Sequence, residues 1–244
     1  MMDLRKNLLA VQTRIAVAAR RAGRDPGEVT LVAVTKTQPV DVIRAAYDLG
    51  LRHFGENRVG EAEAKAGHLP DDITWHMIGH IQSRKAPRVL PLFQIVHSVD
   101  SLKLARRLDR FAVDRGEPLP ILLECNVSGE VSKYGFEASQ WDRHEVQRQT
   151  LLDAVQEMLA LPHVQVQGLM TMAPIVAEAE QARPVFTRLR ALRDELAAAF
   201  PGANWRHLSM GMTDDFEVAI EEGATLVRVG RAIFDPDLAP WRQG

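Results

Sequence analysis

VTLVAVT, residues 29–35, is a run of apolar, β-branched and small residues, and it is followed directly by Lys36-Thr37-Gln38-Pro39. Such a run reads as a strand buried on both faces, as in a parallel sheet. A dinucleotide-binding sheet would place a GxGxxG turn at this point, and Lys-Thr-Gln-Pro has no glycine with which to make it. Outward from this strand the same unit recurs. Strands are expected near 52–55 (RHFG), 74–78 (TWHMI), 93–97 (FQIVH), 120–127 (PILLECNV), 164–170 (VQVQGLM), 206–209 (RHLS) and 225–229 (TLVRV), with helical stretches between them that include 100–114, 139–160 and 178–199. Parallel neighbours need long return connections, so alternating strands and helices argue for crossover units. Eight units in this length fit a (β/α)8 barrel of roughly 250 residues better than an open doubly wound sheet. Before the first unit, Leu4, Leu8, Val11, Ile15 and Ala18 lie on one helical face that ends at Gly23 and Pro26. The expected architecture is therefore α/β, a single (β/α)8 TIM barrel with an extra N-terminal helix, in one domain over 1–244.

Composition removes several function classes. The chain has 244 residues, 46% hydrophobic and 25% charged, with 30 Lys+Arg against 32 Asp+Glu and a net charge of −2. There is no basic excess to attract nucleic acid, and no apolar run approaches the ~20 residues of a membrane span. Cys125 is the one cysteine, so neither an intrachain disulfide nor a cysteine zinc cluster is available. A cytoplasmic protein without nucleic-acid or membrane partners is expected. His76 and His80 are four apart but lack the HExxH glutamate, so no metal site is expected. The four tryptophans, Trp75, Trp141, Trp205 and Trp241, are read as packing residues.

In a parallel barrel, chemistry gathers where the strands end. Alternation puts Val32, Val34 and Lys36 on one face, which sends the Lys36 ammonium toward the barrel mouth behind two apolar side chains. Desolvation there would lower its pKa and expose a nucleophilic amine; the competing reading is a lysine that snorkels to solvent. Ser209-Met210-Gly211, in a turn before a helix, offers a hydroxyl and close-approaching N–H groups for an oxyanion, although Asp214 and Glu217 also resemble a capping box. Arg228 shares a face with Leu226 and Gly230, so a permanent cation points inward. An amine and an anion site on opposite sides of a barrel mouth suit a phosphorylated aldehyde cofactor.

The segments LVAVTK (31–36), HFGENRV (53–59), WHMIGHIQSRK (75–85), HSVDS (97–101), GLMTMAP (168–174), HLSMGMTDDFEVAI (207–220) and VRVGRAIF (227–234) resemble, in order and over essentially the whole chain, the YggS/PROSC family of pyridoxal 5′-phosphate-binding (PLP homeostasis) proteins. The family's fold is similar to the barrel domain of alanine racemase. The resemblance implies that Lys36 forms a covalent aldimine with pyridoxal 5′-phosphate. It also implies that Ser209, Met210, Gly211, Gly230 and Arg231 surround the phosphate, that Arg228 faces the pyridine nitrogen, and that Asn57 lies beside the ring. Arg231 departs from the small or hydroxyl residue often found there, which leaves its N–H rather than its side chain for the role. A guanidinium beside the ring nitrogen disfavours its protonation and weakens the ring as an electron sink.

Alanine racemases add a second domain that brings a tyrosine base to the cofactor. The length here leaves no room for one, and the tyrosines are Tyr47, read as packing, and Tyr134, in the Lys133-Tyr134-Gly135-Phe136 loop. The expected function is a non-catalytic monomer that acts in vitamin B6 homeostasis through a reversible Schiff base and passes cofactor to PLP-requiring apoenzymes. The alternatives are a pyridoxal-phosphate amino-acid racemase without the second domain and, more distantly, a Schiff-base aldolase for a phosphorylated sugar.

Overall fold

The computed structural model describes residues 4–235. Its strands are β1 (Thr30–Val34), β2 (His53–Glu56), β3 (Thr74–Met77), β4 (Ile95–Val99), β5 (Leu119–Asn126), β6 (Phe136–Glu137), β7 (Val164–Met170), β8 (His207–Ser209) and β9 (Leu226–Val229). All pairings are parallel, in the order β4-β3-β2-β1-β9-β8-β7-β5, and a β4–β5 pairing closes the ring into an eight-stranded barrel. β6 was not expected. It is a two-residue strand that pairs only with the end of β5.

The helices are α1 (Leu4–Arg21), α2 (Val40–Asp48), α3 (Val59–Ala66), α4 (Ala86–Val89), α5 (Leu102–Phe111), α6 (Glu145–Leu159), α7 (Arg183–Ala199), α8 (Phe216–Glu221) and α9 (Arg231–Phe234). Two expected boundaries move for local reasons. The fourth strand starts at Ile95 rather than Phe93, because Phe93 N–H still donates to Val89 O and the Gln94 side chain accepts from Trp75 N–H. α6 starts at Glu145 rather than 139, because His144 caps it by accepting from Gln147 N–H. Trp75 and Trp205 are buried and Trp141 is partly buried against the core; Trp241 lies outside the described residues. Among the described residues no helix is long and apolar enough to cross a membrane.

Alternation along each strand divides the buried residues into two layers. Phe54, Trp75, Met77, Val96, Leu123 and Leu169 face the surrounding helices, whereas Val32, Ile95, Leu122, Met170 and Leu226 form a small separate cluster that alternation assigns to the inside. The apolar contribution to the interior is small because much of it is polar: His76, His97, Glu124, Ser209 and Arg228 are all buried.

The N-terminal helix braces the β8–β9 side of the barrel. Arg14 of α1 forms a two-pronged ion pair with Glu217 of α8 (3.0 and 2.6 Å) and lies over the Phe216 ring. Arg24 donates from Nη1 to both Ile220 O and Ala224 O, at 2.8 and 2.9 Å, which satisfies carbonyls at the end of α8. Arg24→Ala strands Ala224 O and leaves Ile220 O with backbone N–H donors alone. It is expected to lower the unfolding free energy by about 1.5–3 kcal/mol, the range for hydrogen bonds to a charged donor, as read from the denaturant midpoint. An unchanged midpoint would show that water replaces the guanidinium at no cost.

Candidate functional site

The strand register fixes what meets at the mouth. Val34 pairs with Gly55 of β2, and on the other side Ala33 pairs with Val229 of β9. Lys36 and Asn57 each follow the end of one of these neighbouring strands, and Gly230 and Arg231 follow β9 on the far side of β1. The Lys36 environment differs from the expected one. β1 stops at Val34, Thr35 keeps its N–H on Gly55 O, and the chain turns through Lys36 and Thr37 until Gln38 N–H donates to Thr35 O. Thr37 takes a left-handed φ of 65° in that turn. The Lys36 side chain is exposed and is not desolvated behind Val32 and Val34.

The turn is held from below. The fully buried Glu56 carboxylate accepts from Thr35 Oγ1 at 2.6 Å and from Lys65 Nζ at 2.8 Å, while Lys65 also donates to Thr35 O at 2.9 Å. Two of these bonds anchor Thr35, the residue preceding Lys36, and Lys65 compensates the charge that burial of Glu56 would otherwise leave alone.

Arg228 points inward as alternation requires and is 4% exposed. It donates to Ser209 Oγ at 2.6 Å and to Thr171 O at 2.9 Å. Burial lowers its pKa to about 10, opposed by the Asp215 and Glu124 carboxylates, so it remains a cation at neutral pH. Glu124, at the end of β5, is itself 4% exposed. Its pKa is raised to about 7 by burial and by Asp100, with Arg228 pulling the other way. The Ser209 hydroxyl also lies 2.8 Å from His97 Nδ1; His97 Nε2 lies 2.8 Å from His76 Nδ1, and His76 Nε2 lies 3.0 Å from His53 Nδ1. Burial pushes His76 down to about 3, His97 well below its ordinary value, and His53 lower as well. All three imidazoles are neutral.

The turn after β8 is built on Gly211, whose φ is +92° and whose absent Cβ would lie 2.6 Å from the Ala219 Cβ and 2.8 Å from the Phe216 Cα. Only glycine fits both demands. Gly230 ends β9 against β1, where a Cβ would meet Val34 O at 3.1 Å. The backbone N–H groups of Gly211 and Gly230 donate to no acceptor among the described residues, which leaves two donors at one side of the mouth. Met210 contributes nothing there, since its side chain is fully buried and its N–H donates to Leu226 O. Ser209 turns its hydroxyl into the barrel. The Arg231 guanidinium pairs with Asp214 on the surface. The expected Asp214–Glu217 capping box is absent: Asp214 binds Arg231, Glu217 binds Arg14, and it is Asp215 that accepts from Met212 N–H at 2.6 Å. This removes the carboxylates from the cup.

The remaining candidates lie apart. Tyr47 O–H donates to Asp72 at 2.7 Å on the exterior. Tyr134 is 56% exposed and stacks on His80, with ring centroids 4.0 Å apart, while His80 pairs with Asp100 at 3.0 Å. Lys133 is engaged by Glu130 and donates to Met172 O at 2.9 Å. His76 and His80 have entirely different partners. Sequence reasoning missed Glu124, Lys65 and the grouping of His53, His76 and His97. Position parity was the available signal for the histidines, because each occupies an inward site on successive strands.

A closed parallel barrel gathers its functional groups on the loops that follow its strands, and here those loops carry an exposed lysine and free backbone donors. Residues 7–236 match the model of the alanine racemase N-terminal domain, and the chain belongs to that family. It is 42% identical to a Pseudomonas aeruginosa protein over 235 residues and 41% identical to an Aquifex aeolicus protein over 234, spanning 96% of this chain and 96% and 98% of theirs; both are named pyridoxal phosphate homeostasis protein. Its structure is similar to that of PipY from Synechococcus elongatus with PLP bound, at 35% identity and a TM-score of 0.80, covering 95% of this chain and 100% of that one.

The interior charges predict an acid response. A histidine whose folded pKa is depressed is charged in the unfolded chain below about 6.5 but neutral in the fold, so its contribution is full above that pH and is lost as pH falls. His53, His76, His97 and His207 act in this sense, whereas Glu124 and Asp215, raised in the fold, act oppositely. With four groups against two, the unliganded protein is expected to lose stability between about pH 6.5 and 4.5, at roughly 1.4 kcal/mol per pH unit for each net proton. Glu124→Gln removes an opposing group and should steepen that slope in denaturant titrations. The same slope in both proteins would contradict the burial of an unpaired carboxyl at this position.

Proposed function

We propose that this chain binds pyridoxal 5′-phosphate reversibly through Lys36 and acts in the cytoplasm in vitamin B6 homeostasis, holding the cofactor and releasing it to apoenzymes rather than turning over a substrate. The observation that carries this reading is the pairing of the exposed Lys36 amine with the unsatisfied N–H groups of Gly211 and Gly230, across the mouth that Arg228 underlies. These donors fit a phosphate, since backbone N–H groups bind oxyanions without bringing a counter-charge of their own. The relatives' name and the cofactor bound in PipY support the same reading.

When bound, the cofactor supplies an aldehyde that a lysine amine can hold covalently with loss of water. The chain's own residues supply the rest. Lys36 presents the amine, and the Glu56–Lys65 brace limits the motion of its turn. Asn57 flanks it on the β2 side. Gly211, Gly230 and the N–H of Arg231 hold the phosphate. Arg228, kept cationic by Ser209 and Thr171 O, faces the ring nitrogen and opposes its protonation, which leaves the site poorly suited to stabilise a carbanion. Exposure of Lys36 favours exchange, because water and incoming amines reach the covalent link. No described tyrosine is held as a base over the mouth, since Tyr134 is exposed on His80.

Borohydride reduction of the protein incubated with pyridoxal 5′-phosphate is expected to add one cofactor mass, located by peptide mass spectrometry on Lys36. Lys36→Ala should abolish the adduct while leaving the thermal transition in place. Stable labelling of another lysine in place of Lys36 would refute the assignment. Turnover of a single amino-acid enantiomer at an ordinary enzymatic rate, on the order of 1–10³ s⁻¹, would replace the carrier reading with the racemase one.

A further inference from the structure

The histidines inside the barrel serve neither Lys36 nor the phosphate cup, yet they occupy its interior as a connected line. His53 is half-buried at the start of β2, His76 is 2% exposed on β3, His97 is fully buried on β4, and Ser209 is fully buried at the end of β8. The successive separations are 3.0, 2.8 and 2.8 Å, and the line ends on Arg228 Nη1, 2.6 Å from the Ser209 hydroxyl.

The direction of these bonds follows from their end point. A guanidinium has only donors, so Ser209 Oγ must accept from Arg228. Its single proton then goes to its other neighbour, His97 Nδ1. That makes His97 Nδ1 an acceptor and places the His97 proton on Nε2, from which it is donated to His76 Nδ1. By the same step His76 Nε2–H donates to His53 Nδ1. The opposite direction would have His97 Nδ1–H and Arg228 both donating to Ser209, leaving a fully buried hydroxyl proton without an acceptor. Because the guanidinium keeps its protons, the line ends there and passes no proton to the mouth.

We propose that His97, His76 and His53 form a one-directional chain of neutral Nε2–H imidazoles whose role is to hold Ser209, and through it Arg228, in a fixed orientation beneath the cofactor. Its consequence for the bound ring rests on the function proposed above; the direction of the chain does not. His97, His76 and His53 are positioning residues. Their neutrality is consistent with their burial and with the nearby Arg228 cation, and the Glu124 and Asp215 carboxylates are the charges that offset that cation.

Two measurements test this. In the unliganded protein at neutral pH, ¹⁵N NMR of the imidazoles should show a protonated Nε2 and a bare Nδ1 on all three residues; an Nδ1–H or imidazolium form of His97 would overturn the direction. His53→Asn should leave the His76 and His97 tautomers unchanged, because the chain is set from the Arg228 end; a switch in either would also overturn it. In the holo-protein made with ring-¹⁵N pyridoxal 5′-phosphate, His97→Leu should move the ring-nitrogen resonance and weaken affinity by about tenfold or more. His97→Asn, whose amide oxygen can still accept from Ser209, should recover most of both. A folded His97→Leu protein with the wild-type resonance and affinity would overturn the positioning role. If His97→Leu does not fold, His97→Asn decides it alone: a resonance far from wild type would count against the role. If the wild-type protein took up no cofactor, the function reading would fail while the tautomer measurement still judged the chain.

Discussion

A permanent cation buried inside a parallel barrel is the constraint from which the interior follows. Arg228 is brought to 4% exposure by the parity of β9, and an arginine in that position cannot neutralise itself by releasing a proton. Its surroundings have to compensate. A backbone carbonyl at the end of β7 and the Ser209 hydroxyl provide acceptors, and two carboxylates, Glu124 and Asp215, supply opposing charge at longer range. Once Ser209 is committed to Arg228, its proton needs an acceptor inside the barrel, and three strands in succession contribute a histidine to provide one. Aliphatic layers would pack such a barrel more simply. Polar side chains occupy much of that space here, which makes the interior sensitive to acid and sets its orientation by hydrogen-bond direction as well as by shape.

The rim is organised differently from the interior. Its chemistry depends on backbone groups and on one exposed side chain. The free donors there come from Gly211 and Gly230, and the neighbouring side chains are held elsewhere: Asp214 by Arg231, Glu217 by Arg14, and Met210 in the core. The N-terminal helix and the loop after it take part in this arrangement, because Arg14 and Arg24 fix α8, and α8 packs beneath the glycine turn. A helix that looks like an addition to the barrel therefore supports the position of the Gly211 turn.

The period-two and helical patterns made most of the fold legible, since an interior that alternates polar and apolar residues still leaves the outer face continuously apolar. Parity alone was enough to aim Arg228 inward. It failed one step beyond the strand: Lys36 continues the alternation of 29–35 only if the strand reaches it, and β1 ends at Val34. Where a strand stops depends on the turn stabilised by Thr35, Glu56 and Lys65, residues that are distant in sequence and meet only in the fold. The histidine line was hidden for a related reason. Each histidine is a plausible single core residue, and their contact depends on the stagger between β2, β3 and β4. The Asp214–Glu217 pair had correct capping-box spacing, but two arginines from other elements compete for those carboxylates and win.

The contrast between rim and interior bears on the choice between carrier and catalyst. Catalysis by a pyridoxal cofactor gains most from a ring whose nitrogen is protonated and from an acid or base fixed on the reacting face. On the proposed reading the interior opposes the first of these, because Arg228, held by Ser209 Oγ and Thr171 O, would face the ring nitrogen. The rim lacks the second among the described residues, because Tyr134 lies on an exposed loop and Lys133 is held by Glu130 and Met172 O. What the site does provide is free backbone donors on the turns after β8 and β9 and an amine open to solvent. A covalent link formed at an exposed lysine can be reversed by water or by a competing amine, whereas one sealed in the barrel could not be reached. Exposure of Lys36 is a defect in a catalyst that must exclude water; in a protein that stores and releases its ligand, it is the property that permits release.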